Sequence, residues 1–244
     1  MEIMASSSTA AGRAGRPRAR AEGTASTLSA REQILDAAAA LFVESGFSGA
    51  STRAIAERVG IRQQSLYYHF AGKDEILAEL LSGSVRPSID FIEDMRTRSV
   101  GGTSPAGMLF ALATVDTRTL RAAPHNIGTL YLLPEIQDPR YEHFRAQRVR
   151  LRGIYGELGL AAATPGVAAA LGEERIGLLL IQLAETVIQL RRDPNPGTAL
   201  DDEMIATSCL RILGLGDPEI AAARSEAHEI LTVQESGQEP ASRS

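Results

Sequence analysis

Between Ser29 and Gly46, the residues Ile34, Leu35, Ala38, Leu41 and Phe42 fall on one face at helical spacing. Ser29 and Glu32 stand at capping-box spacing, each side chain able to satisfy the other's backbone amide, and Gly46 is a natural stop. A second, short helix is predicted from Ser51 or Thr52 to about Val59, broken by Gly60, and a third from about Gln63 to Phe70. After Gly72 a longer helix begins near Lys73, and Pro87 is expected to kink or split it. Further helices are predicted near 104–121, 125–133, 139–158, 167–192, 199–213 and 218–232. They are punctuated by Gly101–Gly102, Pro124, Pro134, Pro139, Pro165 and the proline-rich run 193–197. No stretch alternates at period two, so the predicted fold class is all-α without a sheet.

Composition changes this picture at the ends. Residues 1–28 are mostly Ala, Ser, Gly, Thr and Arg, with almost no large apolar groups to offset the entropy of ordering, and are predicted to be disordered. The same holds for 234–244. Between them a 44% apolar fraction suffices for a packed core. A single cysteine, Cys209, allows no internal disulfide and suits a reducing, cytoplasmic compartment. No apolar run is long enough for a membrane span, and no signal-peptide core is visible, so neither membrane insertion nor export is expected.

Charge changes it more. The net charge is −5, which alone argues against a nucleic-acid partner. Yet residues 1–73 carry nine Lys and Arg against six Asp and Glu, while 74–244 carry sixteen against twenty-four. A basic N-terminal third sits on an acidic body.

The basic third contains TRAIAERVGIRQQSLYYHF, residues 52–70. Two short helices are separated by a turn at Gly60, with Ala56 small where they must approach and Ile55, Val59, Ile61 and Leu66 fixing their angle. This is helix-turn-helix spacing. The outer side of the second helix would hold Arg62, Gln63, Gln64, Ser65, Tyr67, Tyr68 and His69, a face rich in donors and acceptors. Such a helix fits the major groove, where each base pair presents a distinct pattern.

The segment STRAIAERVGIRQQSLYYHFAGKDEIL resembles the N-terminal signature of the tetracycline-repressor (TetR) family. The preceding helix, REQILDAAAALFVESGF, is similar to that family's first helix in length, alanine content and ending. The resemblance covers roughly residues 31–80. It implies a three-helix DNA-binding domain at 29–73, followed by a larger helical domain for ligand binding and dimerisation at 74–233. By position, Thr52 would bind phosphate through its hydroxyl and amide, and Tyr67 and Lys73 would contact phosphate. Arg53 would reach a guanine edge or a phosphate, and Arg62 a guanine or the backbone. Gln63 and Gln64 are the best base readers, since an amide pairs bidentately with adenine. His69 either assists or packs. Gln64 stands where the family often has Pro, Gly or Lys, which leaves the operator sequence open. Arg13, Arg16, Arg18 and Arg20 precede the domain, either as a solvated tail or as a minor-groove hook.

Helix 167–192 contains IGLLLIQLAETVIQL, apolar around most of its circumference, and must be covered from two sides. With the next helix it is expected to form a homodimer interface through Leu179, Leu183, Val187, Leu190, Ile205, Cys209 and Ile212; the family resemblance implies a four-helix arrangement about a two-fold axis. The resemblance also implies a mostly apolar effector pocket, for which Phe91, Phe110, Tyr131, Phe144 and Tyr155 are candidate lining residues and His125, Asn126 and His143 polar anchors. No catalytic motif, metal site or cofactor is expected. The expected partners are therefore palindromic double-stranded DNA, a small effector and a second copy of the chain. An activator, a ligand-blind regulator or a protein-interaction adaptor on the same fold are the alternatives.

Overall fold

Ser29 closes the capping box its sequence announces. Its Oγ accepts from the Glu32 amide, and its own amide donates to the Glu32 carboxylate at 2.8 Å. The computed structural model describes residues 28–97, 102–193, 195 and 200–237, and within them every regular element is a helix. The arm's four arginines, Gly101 and most of the run 193–197 lie outside the described residues, as does everything beyond Gly237.

The first helix, α1, spans Ala30–Gly49, with Gly46 at φ 74° interrupting its regular geometry. Helices α2 (Thr52–Val59) and α3 (Gln63–His69) follow, then the long α4 (Lys73–Thr97) and α5 (Pro105–Ala122). Three 3₁₀ segments come next: η1 (Ile127–Leu132), η2 (Pro134–Gln137) and η3 (Pro139–Tyr141). The chain ends in α6 (Glu142–Ala162), α7 (Pro165–Leu190), α8 (Asp202–Ile212) and α9 (Asp217–Gly237).

Three expectations are corrected. Pro87 does not split α4. It faces solvent, and so does Gly83, whose carbonyl loses its amide partner and can be hydrated instead. The helix is meanwhile held by Val85, Ser88 and Ile89 on its buried side. The helix expected near 125–133 is instead a 3₁₀ segment, a short connector between Pro124 and Pro134 that Asn126 ties to α7. Finally, α9 runs on through 234–237, residues the sequence reading assigned to the tail.

One apolar cluster extends from Ile34 to Leu231. Its centre is α5, where Leu109 through Ala113 are completely enclosed. That helix packs on α4, α6, α7, α8 and α9, as an element buried around its circumference must. Helices α6 and α7 meet backbone to backbone. A Cβ on Gly177 would lie 2.4 Å from the Arg152 carbonyl oxygen, and one on Gly156 would lie 2.8 Å from that of Glu173.

A polar seam runs through this body. Asp116 accepts from Ser88 Oγ at 2.8 Å and from the Tyr155 hydroxyl at 3.0 Å. Nearby, the Ser84 and Tyr131 hydroxyls pair at 2.7 Å. All five groups are buried, and each has the partner that burial demands.

Candidate nucleic-acid interface

The candidate interface begins with Ser51, whose Oγ accepts from the Ala54 amide at 3.1 Å and starts α2. Ile55, Ala56 and Leu66 are buried and lock α2 against α3. Gly60 sits at φ 81°, and its amide returns to the carbonyls of Ala56 and Glu57, which ends α2 and turns the chain. With Leu66 turned inward, Gln63, Gln64, Ser65, Tyr67 and Tyr68 project outward and His69 is half-buried. Tyr68 is 87% exposed, far beyond what packing would leave for an aromatic ring. Its ring meets that of His69 edge-on, with centroids 5.3 Å apart.

Three of these residues are already organised. Gln63 Nε2 donates to Thr52 Oγ1 at 2.9 Å, and the Thr52 and Tyr67 hydroxyls lie 3.2 Å apart. The N-terminus of α2 and the face of α3 therefore present one connected surface of hydroxyls and an amide. Arg53 is paired with Glu57 at 2.8 Å on the exposed side of α2. Arg62 and Gln64 have no side-chain partner among the described residues and keep their donors for something else.

Residues 34–80 match the family model described as bacterial regulatory proteins, tetR family. Among solved structures, that of Mycobacterium smegmatis AmtR is 37% identical with a TM-score of 0.74, covering 85% of this chain and 96% of that one. The chain belongs to the TetR family. It is accordingly a transcriptional regulator. The HTH-type transcriptional repressor KstR2 of Mycobacterium tuberculosis is 47% identical over 55 residues, covering 22% of this chain and 28% of that protein. The KstR2 repressor of Rhodococcus jostii is 31% identical over 115 residues, with 46% and 52% covered. The chain thus spans between about a quarter and a half of the length of these curated relatives.

Against the TetR-family expectations, Lys73 occupies an unexpected place. Its ammonium donates to the carbonyls of Phe47 and Ala50 at 2.9 and 3.1 Å and lies 4.3 Å from the Phe47 ring centroid. It caps the end of α1 and binds that end to the start of α4.

The effector-pocket residues expected from the sequence do not all line one cavity; of the eight, Tyr131 and Phe144 meet, with ring centroids 5.3 Å apart. Phe91, Phe110 and Tyr155 are core side chains, at most 2% exposed. Asn126 donates to the Ile188 carbonyl at 2.8 Å, tying η1 to α7, and His125 Nε2 lies 3.1 Å from Asp36 on α1. His143 is exposed on α6, the wrong side for an interior anchor. Tyr131 and Phe144 do line a cleft, beside Arg145, Arg148 and Arg152. Those arginines escaped the sequence reading, although their spacing of three and four residues places them on one helix face.

The expected dimer residues also divide. Val187, Ile205 and Cys209 are sealed within the single chain and cannot meet a second copy; burial pushes the Cys209 thiol up to about 12. Leu183 and Leu190 are half-buried, while Leu179 and Ile212 are exposed. Leu178 on α7 and Met204 on α8, which the expected set left out, are exposed as well. No described helix is long and apolar enough to cross a membrane.

Proposed function

We propose that the chain is a homodimeric TetR-type repressor that binds a palindromic operator through paired α3 helices and is released by a small effector. In this reading residues 29–73 read DNA and residues 74–233 dimerise and respond. The observation that carries it is the outward face of α3, where Gln63, Thr52 and Tyr67 form one hydrogen-bonded set beside the exposed Tyr68, Gln64 and Arg62. Among the described residues the side chains of that face stay exposed, and its amides and guanidinium are the groups that read base edges. Two copies with readers about 34–36 Å apart would span one helical turn of DNA. Lys73 acts in this reading as the joint between reader and body, and a phosphate would share its ammonium with the α1 carbonyls.

The effector is not expected in the aromatic core, which is closed. The open cleft at Tyr131 and Phe144 is the better place, and its lining is cationic as well as apolar.

The test is footprinting on the DNA flanking the gene, followed by binding titrations. Gln63→Ala and Tyr67→Ala are each expected to lose about 1–3 kcal/mol of specific affinity while the melting temperature stays within a degree or two of wild type. Wild-type affinity for the footprinted site in both variants would refute the assignment.

A further inference from the structure

We infer that the cleft between η1, α6 and α7 binds a small organic anion with an apolar portion, and that Arg148 transmits its arrival towards the reader. The second half of this inference rests on the ligand-responsive reading above; the first half does not.

The body is acidic overall, with sixteen basic against twenty-four acidic residues in 74–244. Two adjoining hollows, of about 270 and 340 Å³, run against that trend. They share Tyr131, Arg148 and Gln182. Between them they are lined by four arginines, Arg145, Arg148, Arg152 and Arg192, against one carboxylate, Glu185. The apolar walls come from Phe144, Leu178 and Ile181.

The four guanidinium groups are not equivalent. Arg145 is committed to the fold, donating to the carbonyls of Ile136 and Asp138 and to Glu142. Arg148 is paired with Glu185 and lies over the Tyr131 ring, 4.6 Å from its centroid. Arg152 and Arg192 are exposed and have no side-chain partner among the described residues. After Glu185 is matched with Arg148, each hollow retains one unmatched positive charge, Arg152 in the first, beside Phe144, Leu178 and Ile181, and Arg192 in the second. A planar guanidinium binds a carboxylate or a phosphate through two parallel hydrogen bonds, so the complementary ligand is an anion of either kind attached to a short apolar chain.

Arg148 connects this cleft to the reader. The ring it covers, Tyr131, pairs with Ser84 on α4 at 2.7 Å, and α4 begins at Lys73, which grips the end of α1. An anion competing with Glu185 for Arg148 would shift the guanidinium over Tyr131. The displacement would then pass along α4, a single helix from Ser84 back to Lys73. Coupling of this kind is reciprocal, so operator DNA would weaken anion binding by the same factor as the anion weakens DNA binding.

The test is isothermal titration calorimetry on the full chain with hexanoate and hexyl phosphate, beside the uncharged hexanamide and the cationic hexylamine. At least one of the two anions is expected to bind, with hexanamide and hexylamine silent; which anion binds tells carboxylate from phosphate. Arg152→Gln, at an exposed position without a structural partner, is expected to weaken binding about tenfold. Glu185→Gln releases Arg148 and is expected to strengthen it. Tyr131→Phe should keep anion binding but reduce the anion's effect on operator affinity. Silence of both anions, or equal binding by wild type, Arg152→Gln and Glu185→Gln, overturns the site. An unaltered response in Tyr131→Phe overturns the route. Loss of DNA binding with anion binding intact would instead fault the repressor reading.

Discussion

Asp116 is a carboxyl group held away from water inside a helical body. Desolvation raises its pKa to about 6, opposed by the Ser88 and Tyr155 hydroxyls that donate to it; Glu185 adds a smaller upward push and Arg148 a smaller downward one. A folded chain whose carboxyl titrates above its unfolded value holds its proton more tightly than the unfolded chain. Stability from this group is therefore present at low pH and falls as pH rises from about 4 to about 6, by about 3 kcal/mol in all. Asp116→Asn removes the titration. Urea melts at pH 4.5 and 7 should show the variant gaining on wild type by most of that amount; an equal gap at both values would remove Asp116 as the cause. The sequence hid this group, because one aspartate among thirty acidic residues carries no mark of burial until α4, α5 and α6 are assembled around it. The reader residues were easier to find: Gln63, Tyr67 and Tyr68 differ from Leu66 and Phe70 by a local pattern that helical spacing alone resolves. What the spacing did not disclose was the bond from Gln63 to Thr52, which joins residues eleven apart across a turn.

At the scale of elements, caps, glycines and the prolines that open η2, η3 and α7 were legible, and Pro87 inside α4 was not. The Ser29 box and the Gly60 turn are local, set by the side chain or φ of a few neighbouring residues, and both stand where the sequence places them. Pro87 depends on which way its turn of helix faces, which only packing decides. The Gly60 turn permits a direct measurement. Its φ of 81° lies in the left-handed region, and nothing stands within 4 Å of where a Cβ would be. Gly60→Ala should therefore act through backbone strain alone, destabilising the reader by about 1–2 kcal/mol. Hydrogen exchange should quicken in α2 and α3 while α5 and α7 keep their protection. Unchanged exchange in α2 and α3 would show that the turn bears no such strain.

At the scale of the molecule, the sequence showed that α7 is apolar nearly all round but could not say which side its own chain would claim. The fold takes Val187 and Ala184 inward and leaves Leu178 and Leu179 to solvent, with Met204 and Ile212 exposed on α8. Exposed aliphatic residues on successive helices suit a partner surface. Leu179→Arg combined with Ile212→Arg should yield a monomer by sedimentation velocity with helical content retained, and a monomer with one reader should lose most of its operator affinity. A double variant that sediments as wild type would place the pairing surface elsewhere.

The glycine contact between α6 and α7 bears on how any such assembly moves. Where main chain rests on main chain at Gly156 and Gly177, there are no rotamers to exchange, and the two helices cannot slide without collision. They form a fixed anvil on one side of the cleft. The 3₁₀ segment opposite is seated on α7 as well, by the bond from Asn126 to the Ile188 carbonyl and by Gly128 against the Ile188 side chain, so whatever widens the cleft has first to lift that seat.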